Sequence, residues 1–187
     1  TLEYDIVQDP QAYSSTEFAA TFAVGGTIYE LEDYDARFRL AVGIDGCYYI
    51  CQSVDTTDNT GLELDTYFAV AELEERVETI QICDHAGLES LYEVSGPQVR
   101  EMLSVIAGST QAEPSNEQYQ QIGRAQRTGG SFLLRCRMDD GTAYQLYVIP
   151  SLSIAMAGDS VYALPNVFSE DFGTLFDGLK QQSVPMG

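Results

Sequence analysis

Residues 131–150 read SFLLRCRMDDGTAYQLYVIP, two apolar runs that meet at Asp140–Gly141. Residues 36–54 repeat this arrangement as ARFRLAVGIDGCYYICQSV, with Asp45–Gly46 between the runs. Asp-Gly between β-branched and aromatic segments is the strongest short-range hairpin signal, because a type I′ turn needs positive φ at both central residues. Both stretches are therefore predicted to be β-hairpins.

The segments that follow indicate one more hairpin and several helices. SLSIAMAGDSVYALP, residues 151–165, predicts a hairpin that turns near Gly158 and Asp159. SGPQVREMLSVI and SEDFGTLFDGLKQQ carry helical apolar stripes, the first with Pro97 at its first turn and the second with Ser169 as predicted N-cap. Shorter helices are predicted over residues 69–77 and 115–126, and loops over residues 55–66 and 108–117.

The segment SSTEFAATFAVGG, residues 14–26, also has a helical pattern. Ser14 and Glu17 have the spacing of a capping box, and Gly25 supplies a stop signal. A helix is predicted here, and a hairpin that turns at Gly25–Gly26 is the alternative.

These elements predict an α+β fold, an antiparallel sheet of DG-type hairpins with helices packed on one face. A chain of 187 residues can bury a core of its own, so residues 1–187 are predicted to form a single domain. The two Asp-Gly hairpins and two strand-helix pairs resemble each other, which indicates two similar layers, about 14–107 and 115–182.

The charge balance excludes several classes of partner. The chain has 9 basic and 29 acidic residues, a formal net charge of −20, and its only lysine is Lys180. Binding to nucleic acid or to an anionic membrane needs clustered cations, and here the arginines are scattered. No run of 18 apolar residues is present that could insert into a membrane. The acidity indicates a solvated surface, and the alternative is an acidic inhibitor or nucleic-acid mimic.

The four cysteines, Cys47, Cys51, Cys83 and Cys136, allow three disulfide pairings. On a strand Cys47 and Cys51 are about 13 Å apart, beyond disulfide reach. Two pairings remain if disulfides form, 47–83 with 51–136 or 47–136 with 51–83. The alternative is four reduced cysteines that serve as small buried hydrophobic side chains. A zinc site is not expected, because the chain lacks CxxC and has one histidine.

Catalytic signals are sparse. Any imidazole-based triad must use His85, which lies in QICDHAG without a GxSxG or cysteine-protease signature. Acidic pairs are common in so acidic a chain, and no phosphate-binding glycine loop is present. The oxygen-rich residues 55–65 do not fit an EF-hand register, since Tyr67 falls at its twelfth position. No catalytic residue, metal ion or cofactor is predicted. A small hydrolase using His85 or a carboxylate pair is the alternative.

Tyrosines are the best candidates for a binding surface. Tyr48 and Tyr49 are neighbours, and Tyr144 and Tyr147 are at odd spacing, so each pair must place its rings on opposite faces of a strand. At least one ring of each pair then lies off the core unless both faces are covered. An exposed aromatic face with an acidic rim suits a protein, peptide or glycan, and ordinary cross-strand pairing is the alternative.

The hairpin DDGTAYQLYV, the segment GDSVYALP and the closing helix SEDFGTLFDGL resemble extracytoplasmic modules of unknown function from Gram-positive bacteria. Such modules occur as lipoproteins or membrane-anchored ectodomains, and the similarity covers residues 131–180 best. It implies a secreted or anchored location and supplies no catalytic residues. A chain that begins at Thr1 also fits a mature form cut after an export signal, although tag removal would look the same. We expect a non-enzymatic extracytoplasmic binding or sensory module of unknown ligand.

Overall fold

A computed structural model describes residue 2 and residues 4–5, 19–20, 23–53, 64–158 and 160–179. The chain divides into two compact units, residues 1–60 and residues 61–187, called unit 1 and unit 2 below. Each unit has its own antiparallel sheet.

Unit 1 contains the first Asp-Gly hairpin. Two short strands, β1 (Tyr4–Asp5) and β2 (Ala19–Ala20), pair in parallel. Strands β3 (Thr27–Glu30), β4 (Arg39–Ile44) and β5 (Cys47–Gln52) form a three-stranded antiparallel sheet in that order. Asp45 and Gly46 join β4 to β5 with φ of 51° and 77°, the positive values that a type I′ turn requires.

The helix predicted over residues 14–26 is wrong where the structure describes that segment. Ala19–Ala20 is a strand, and Ala23–Gly26 is a turn in which Gly25 has φ of 85°. Leu2 explains the difference, because its N–H donates to the Gly26 carbonyl and its carbonyl accepts from the Gly25 N–H. These bonds hold the turn against the N-terminal segment, and a helix could not make them.

Unit 2 is built on a seven-stranded sheet in which every neighbouring pair is antiparallel. Its strand order is β7-β6-β9-β10-β11-β12-β8. The strands are β6 (Val77–Cys83), β7 (Ser90–Ser95), β8 (Thr110–Ala112), β9 (Phe132–Met138), β10 (Ala143–Ile149), β11 (Ile154–Ala157) and β12 (Ser160–Ala163). The predicted hairpins at residues 131–150 and 151–165 are β9–β10 and β11–β12.

Three helices of unit 2 lie close to predicted segments, whereas the first begins at Leu64, inside the loop predicted over residues 55–66, and strand β8 lies in the loop predicted over 108–117. The helices are α1 (Leu64–Val70), α2 (Leu73–Arg76), α3 (Pro97–Ala107), α4 (Asn116–Arg127) and α5 (Asn166–Asp177), with a 3₁₀ turn at Pro150–Leu152. The helix predicted over 69–77 is broken at Glu72, whose φ of 51° is left-handed. Ser169 is not an N-cap, since α5 starts after Pro165 and the buried Phe168 already lies inside the helix.

Helices cover both faces of the unit 2 sheet. On one face Phe132 of β9 packs against Phe176 of α5, and Tyr144 of β10 packs against Phe68 of α1. Helix α3 lies in the same layer, since it contacts β6, β7, α1 and α5. On the other face, α4 buries an apolar cluster with the end of β10 and with β11 and β12. Its members are Ile122, Ala125, Ile149, Ile154 and Val161.

The α+β class is confirmed, with antiparallel sheets and helices packed on a sheet, and α4 adds cover to part of the second face. In the ranges that the structure describes, no helix combines the length and the apolar character needed to cross a membrane.

Candidate binding surface

The four predicted site tyrosines lie in different units, Tyr48 and Tyr49 in unit 1 and Tyr144 and Tyr147 in unit 2. Tyr48 is 71% exposed and Tyr49 is 46% exposed. Tyr144 is buried and Tyr147 is half-buried. Of the four, only the unit 1 pair offers largely exposed rings to a partner.

One face of the unit 1 sheet carries three exposed large side chains, Tyr29 of β3 and Tyr48 and Ile50 of β5, which we call the aromatic face. Tyr29 and Ile50 both flank Ala41 of β4. The Tyr29 and Tyr48 rings meet edge to face across Gly43, with centroids 5.7 Å apart. The central strand thus has small residues where its neighbours have large ones, and the apolar side chains form one contiguous surface.

Gly43 lets the two rings lie directly over the central strand. A Cβ atom at position 43 would lie 2.9 Å from the Tyr29 ring and 3.1 Å from the Tyr48 ring, closer than packing allows. Aromatic side chains that cover a strand glycine also stabilise the sheet. This covering role accounts for Tyr29 and Tyr48, and it does not account for the 56% exposure of Ile50.

The opposite face of the sheet packs on a small core. Leu2, Ala23 and Val42 are buried there, and Ile28 and Cys51 pack against them. The hairpin registers Val42 with Tyr49, so Tyr49 extends beyond this core on the opposite side from Tyr48. Strand β5 is therefore exposed on both faces over Cys47–Ile50.

The two-residue turn before β5 determines which of its backbone groups point away from β4. In a two-residue hairpin the pair next to the turn, here Ile44 and Cys47, exchanges both backbone hydrogen bonds. Bonding alternates along the ladder, so Tyr48 and Ile50 direct their N–H and C=O groups away from β4. Within the described ranges, no strand pairs with this side of β5.

The charges of unit 1 are strongly unbalanced. Residues 1–60 contain eleven acidic and two basic side chains. Arg37 forms an ion pair with Asp35 at 2.7 Å, and its hydrogen bonds lower the pKa of the Asp35 carboxyl to about 2. Arg39 is 3% exposed, with its guanidinium 4.9 Å from the Tyr34 ring centroid and bonded to Gln52. The unit therefore has a negative field with both of its cations engaged.

The unit 2 tyrosines have structural environments. Tyr144 packs between Tyr67 and Phe68, with ring centroids 5.4 and 5.8 Å away, and burial raises the pKa of its hydroxyl well above the usual range. Tyr147 lies on the other face of β10, where its ring is 4.9 Å from the His85 ring. Tyr144 thus belongs to the core, and Tyr147 supports the position of His85.

His85 lies in a loop that folds over the second face of the sheet. Its Nδ1 is 3.1 Å from the hydroxyl of the buried Ser131. Burial lowers the pKa of His85, and the nearby carboxylate of Asp84 opposes that shift. The carboxylate of Asp84 accepts backbone N–H bonds from Leu88 and Glu89, which fixes the loop. The imidazole is held by a tilted ring contact with Tyr147 and by the contact with Ser131.

The same loop is fastened to β9. The guanidinium of Arg135 donates to the Gly87 carbonyl at 3.0 Å. Gly87 has φ of 70°, and a Cβ there would approach Leu133 to 2.8 Å, so only glycine fits. The contacts of His85, Asp84 and Arg135 all serve to close this loop onto the sheet.

A cleft of about 380 Å³ is present elsewhere in unit 2, beside the C-terminal end of α5. Its apolar lining includes Phe132 and Phe176, whose rings pack against each other with centroids 5.1 Å apart. Asp177 supplies a carboxylate in its lining. The cleft lies where β9, the 3₁₀ turn and the end of α5 meet.

The four cysteines are free thiols in the structure. Cys47 is exposed and Cys51 is half-buried, both in β5. Cys83 and Cys136 are buried on opposite faces of the unit 2 sheet, since Cys83 pairs with Leu133 and Cys136 with Tyr144. Burial raises the pKa of Cys136 to about 12 and also raises the pKa of Cys83.

Among the residues with described side chains, no group of three or more His, Cys, Asp or Glu could hold a metal ion. Most of the oxygen-rich segment 55–65, weighed above as a calcium loop, lies outside the described residues.

Sequence reasoning did not single out Tyr29 and Ile50. Part of the signal is local, because Ile50 is two residues from Tyr48 and so lies on the same face of β5. Tyr29 lies in the run TIYE, which forms β3, just before the hairpin in the sequence. What the sequence could not supply was the register that places Tyr29 beside Tyr48.

The fold and the surface define an α+β protein with a small, acidic, aromatic-faced sheet in unit 1. No protein-family model, curated protein or solved structure matches the chain.

Proposed function

We propose that the chain is a non-enzymatic, extracytoplasmic binding or sensory module that contacts a protein, peptide or glycan through the aromatic face. The observation that carries this proposal is the joint exposure of Tyr48, Ile50 and Tyr29 at 71%, 56% and 44% on one sheet face. Contiguous exposed apolar surface marks interaction sites, and tyrosine is enriched among residues that dominate binding energy.

The surface is suited to recognition for a second reason. Tyrosine and isoleucine lose little rotamer freedom on binding, and the Tyr29–Tyr48 contact already fixes two of the three side chains. A preorganised apolar patch binds with a smaller entropic cost than a flexible one. Cross-strand pairing alone would leave Ile50 without a role.

Site-specific photo-crosslinking in the source cells tests this function. A benzophenone amino acid replaces Tyr48, and a matched variant carries it at Tyr119, which is 55% exposed on α4. We expect a discrete adduct from position 48 that is absent from position 119 and is lost when Ile50→Asp is added. Equal labelling at both positions, or none at position 48, would contradict a binding role for the aromatic face.

The extracytoplasmic part of the proposal is supported by the resemblance of residues 131–180 to exported modules. It is tested separately by adding protease to intact source cells. We expect the protein to be cleaved while a cytoplasmic marker stays intact. Survival of both until the cells are lysed would contradict this location.

A hydrolase is the second candidate, favoured by the 3.1 Å contact between His85 and Ser131. The side chain of Ser131 is fully buried, so a substrate could not reach its hydroxyl without rearrangement of the loop. A fluorophosphonate probe that labels activated serines distinguishes the two functions. A binding module leaves Ser131 unlabelled, whereas labelling that His85→Asn abolishes would favour the hydrolase.

A further inference from the structure

Resting on the proposed function, we propose that the partner is an extended, basic peptide segment that adds a fourth strand to the edge of β5 with which no described strand pairs. The edge has its hydrogen-bonding groups in place, because Tyr48 and Ile50 direct N–H and C=O groups away from β4. Strand addition uses such groups for affinity and the alternate side chains for specificity.

Strand β5 lacks the features that usually protect an edge. Its sequence, CYYICQ, contains no charged residue, proline or glycine, and its first four residues are exposed. Natural sheet edges are protected by charge, short length, proline or a bulge. An unprotected six-residue edge of high β-propensity is a template for another strand.

The other described edges of the three-stranded and seven-stranded sheets are protected. Edge strand β7 carries Glu93, and the β6–β7 ladder has an irregularity at Ile82/Cys83. Edge strand β8 has only three residues and is followed by Glu113 and Pro114. Edge strand β3 has four residues and ends with Glu30. Strand β5 therefore differs from the edge strands β3, β7 and β8 in having no such protection.

Charge selects the class of peptide. The sequence of residues 1–60 contains eleven acidic residues against two arginines, one ion-paired and one buried. A second copy of the chain would bring two equally negative units together, which costs free energy. A segment with lysine or arginine alternating with apolar residues gains from the same field, and its apolar side chains meet Tyr48 and Ile50.

The test uses the full-length ¹⁵N-labelled protein and capped nine-residue peptides. The probe alternates lysine and valine, and the control alternates glutamate and valine. We expect the lysine peptide to slow hydrogen exchange of the Tyr48 and Ile50 amides at least about tenfold at saturation. Its affinity should weaken about tenfold or more between 25 and 250 mM salt, because the attraction is screened. The glutamate peptide should not bind.

A modified peptide and a protein variant test the backbone hydrogen bonds between the peptide and β5. N-methylation of alternate residues along one edge of the lysine peptide should abolish binding, and this control leaves the protein unchanged. Ile50→Pro removes one outward N–H, which an edge strand tolerates, and should weaken binding at least about tenfold while thermal unfolding stays cooperative.

Three other outcomes would contradict strand addition, the identity of the occupant or the basic character of the peptide. If the peptide moves Tyr29, Tyr48 and Ile50 side-chain signals without slowing amide exchange, strand addition is wrong and the aromatic face still binds. If Tyr48 and Ile50 become protected with rising protein concentration alone, the occupant of the edge is a second copy. If no binding occurs at millimolar peptide, the basic-peptide assignment is wrong, and the photo-crosslinking result decides the proposed function independently.

Discussion

Solvent reaches the four cysteine side chains to different extents, and their reactivity should follow. Cys47 is exposed and Cys51 is half-buried, both in β5, while Cys83 and Cys136 are buried. The thiolate is the reactive form, and burial raises the pKa of Cys136 to about 12. Burial therefore slows the reaction of the Cys136 thiol in two ways, because it blocks access of the reagent and keeps the thiol protonated.

We predict that maleimide labels Cys47 first in the reduced, folded protein and labels Cys136 at least about 100-fold more slowly. Peptide mapping by mass spectrometry over a time course measures the order. In denaturant all four should react at similar rates, which is the control. Rapid labelling of Cys136 in the folded protein would contradict its buried position. The disulfide pairings named above stay predictions, and non-reducing mapping of protein from its natural source tests them.

The imidazole of His85 gives a prediction about pH. Burial lowers its pKa in the folded state, so the unfolded chain takes up the proton first as pH falls below about 6.5. Stability should therefore decrease on acidification from about pH 7.5 to 5.5 and level off once the folded state is also protonated. His85→Asn keeps a polar group near Ser131 and cannot titrate.

Urea denaturation at several pH values measures this contribution as the difference between the wild type and the His85→Asn variant. The carboxylates titrate in both proteins and cancel in that difference. An identical pH dependence in the two proteins would show that folding does not perturb His85.

Helix α4 is the element whose start is best defined by local sequence. Ser115 accepts a hydrogen bond from the Gln118 N–H, and the Gln118 side chain accepts one from the Ser115 N–H. This capping box satisfies two helix-terminal donors that would otherwise lack partners. The helix holds the apolar cluster on the second sheet face, so its cap contributes to the stability of unit 2.

Replacing Ser115 with alanine should lower the free energy of unfolding by about 1 kcal/mol. Gln121→Ala, an exposed change on the same helix, is the matched control and should stay within about 0.5 kcal/mol of the wild type. Chemical denaturation with both variants measures the difference. Equal stability of the two variants would mean that the helix does not depend on its cap.

Across the whole molecule, hairpin turns could be predicted because neighbouring residues encode them. Contacts between distant segments could not be predicted, because they depend on how the strands and loops are placed. Asp-Gly predicted both main hairpins, although the two turns differ in detail. Asp45 and Gly46 both have positive φ, whereas in the second turn only Gly141 does, at 81°, and the Gly141 N–H donates to the Met138 carbonyl in a longer loop. The contact between His85 and Ser131 joins residues 46 positions apart, which no local pattern encodes. The break at Glu72 was missed because a left-handed glutamate is held by its surroundings and not by its own preference.

The candidate surface shows the same division. Alternation correctly separates the two rings of each tyrosine pair onto opposite faces, since Tyr144 is in the core and Tyr147 is on the other side of β10. Which faces stay exposed depends on where the helices pack, and the sequence gives only their apolar stripes. Tyr48 is therefore 71% exposed while Tyr144, in an equally aromatic hairpin, is 4% exposed.

The edge of β5 with which no described strand pairs also affects how the protein should be purified. At a formal net charge of −20, repulsion between molecules should keep the β5 edges of separate molecules apart in dilute neutral buffer. Concentrated salt, or acid strong enough to protonate the carboxylates, should weaken that repulsion, and we then expect the uncharged, tyrosine-containing β5 edges to pair and stack into fibrils. Storage near neutral pH at low ionic strength should keep the preparation clear, and a thioflavin assay would detect the change.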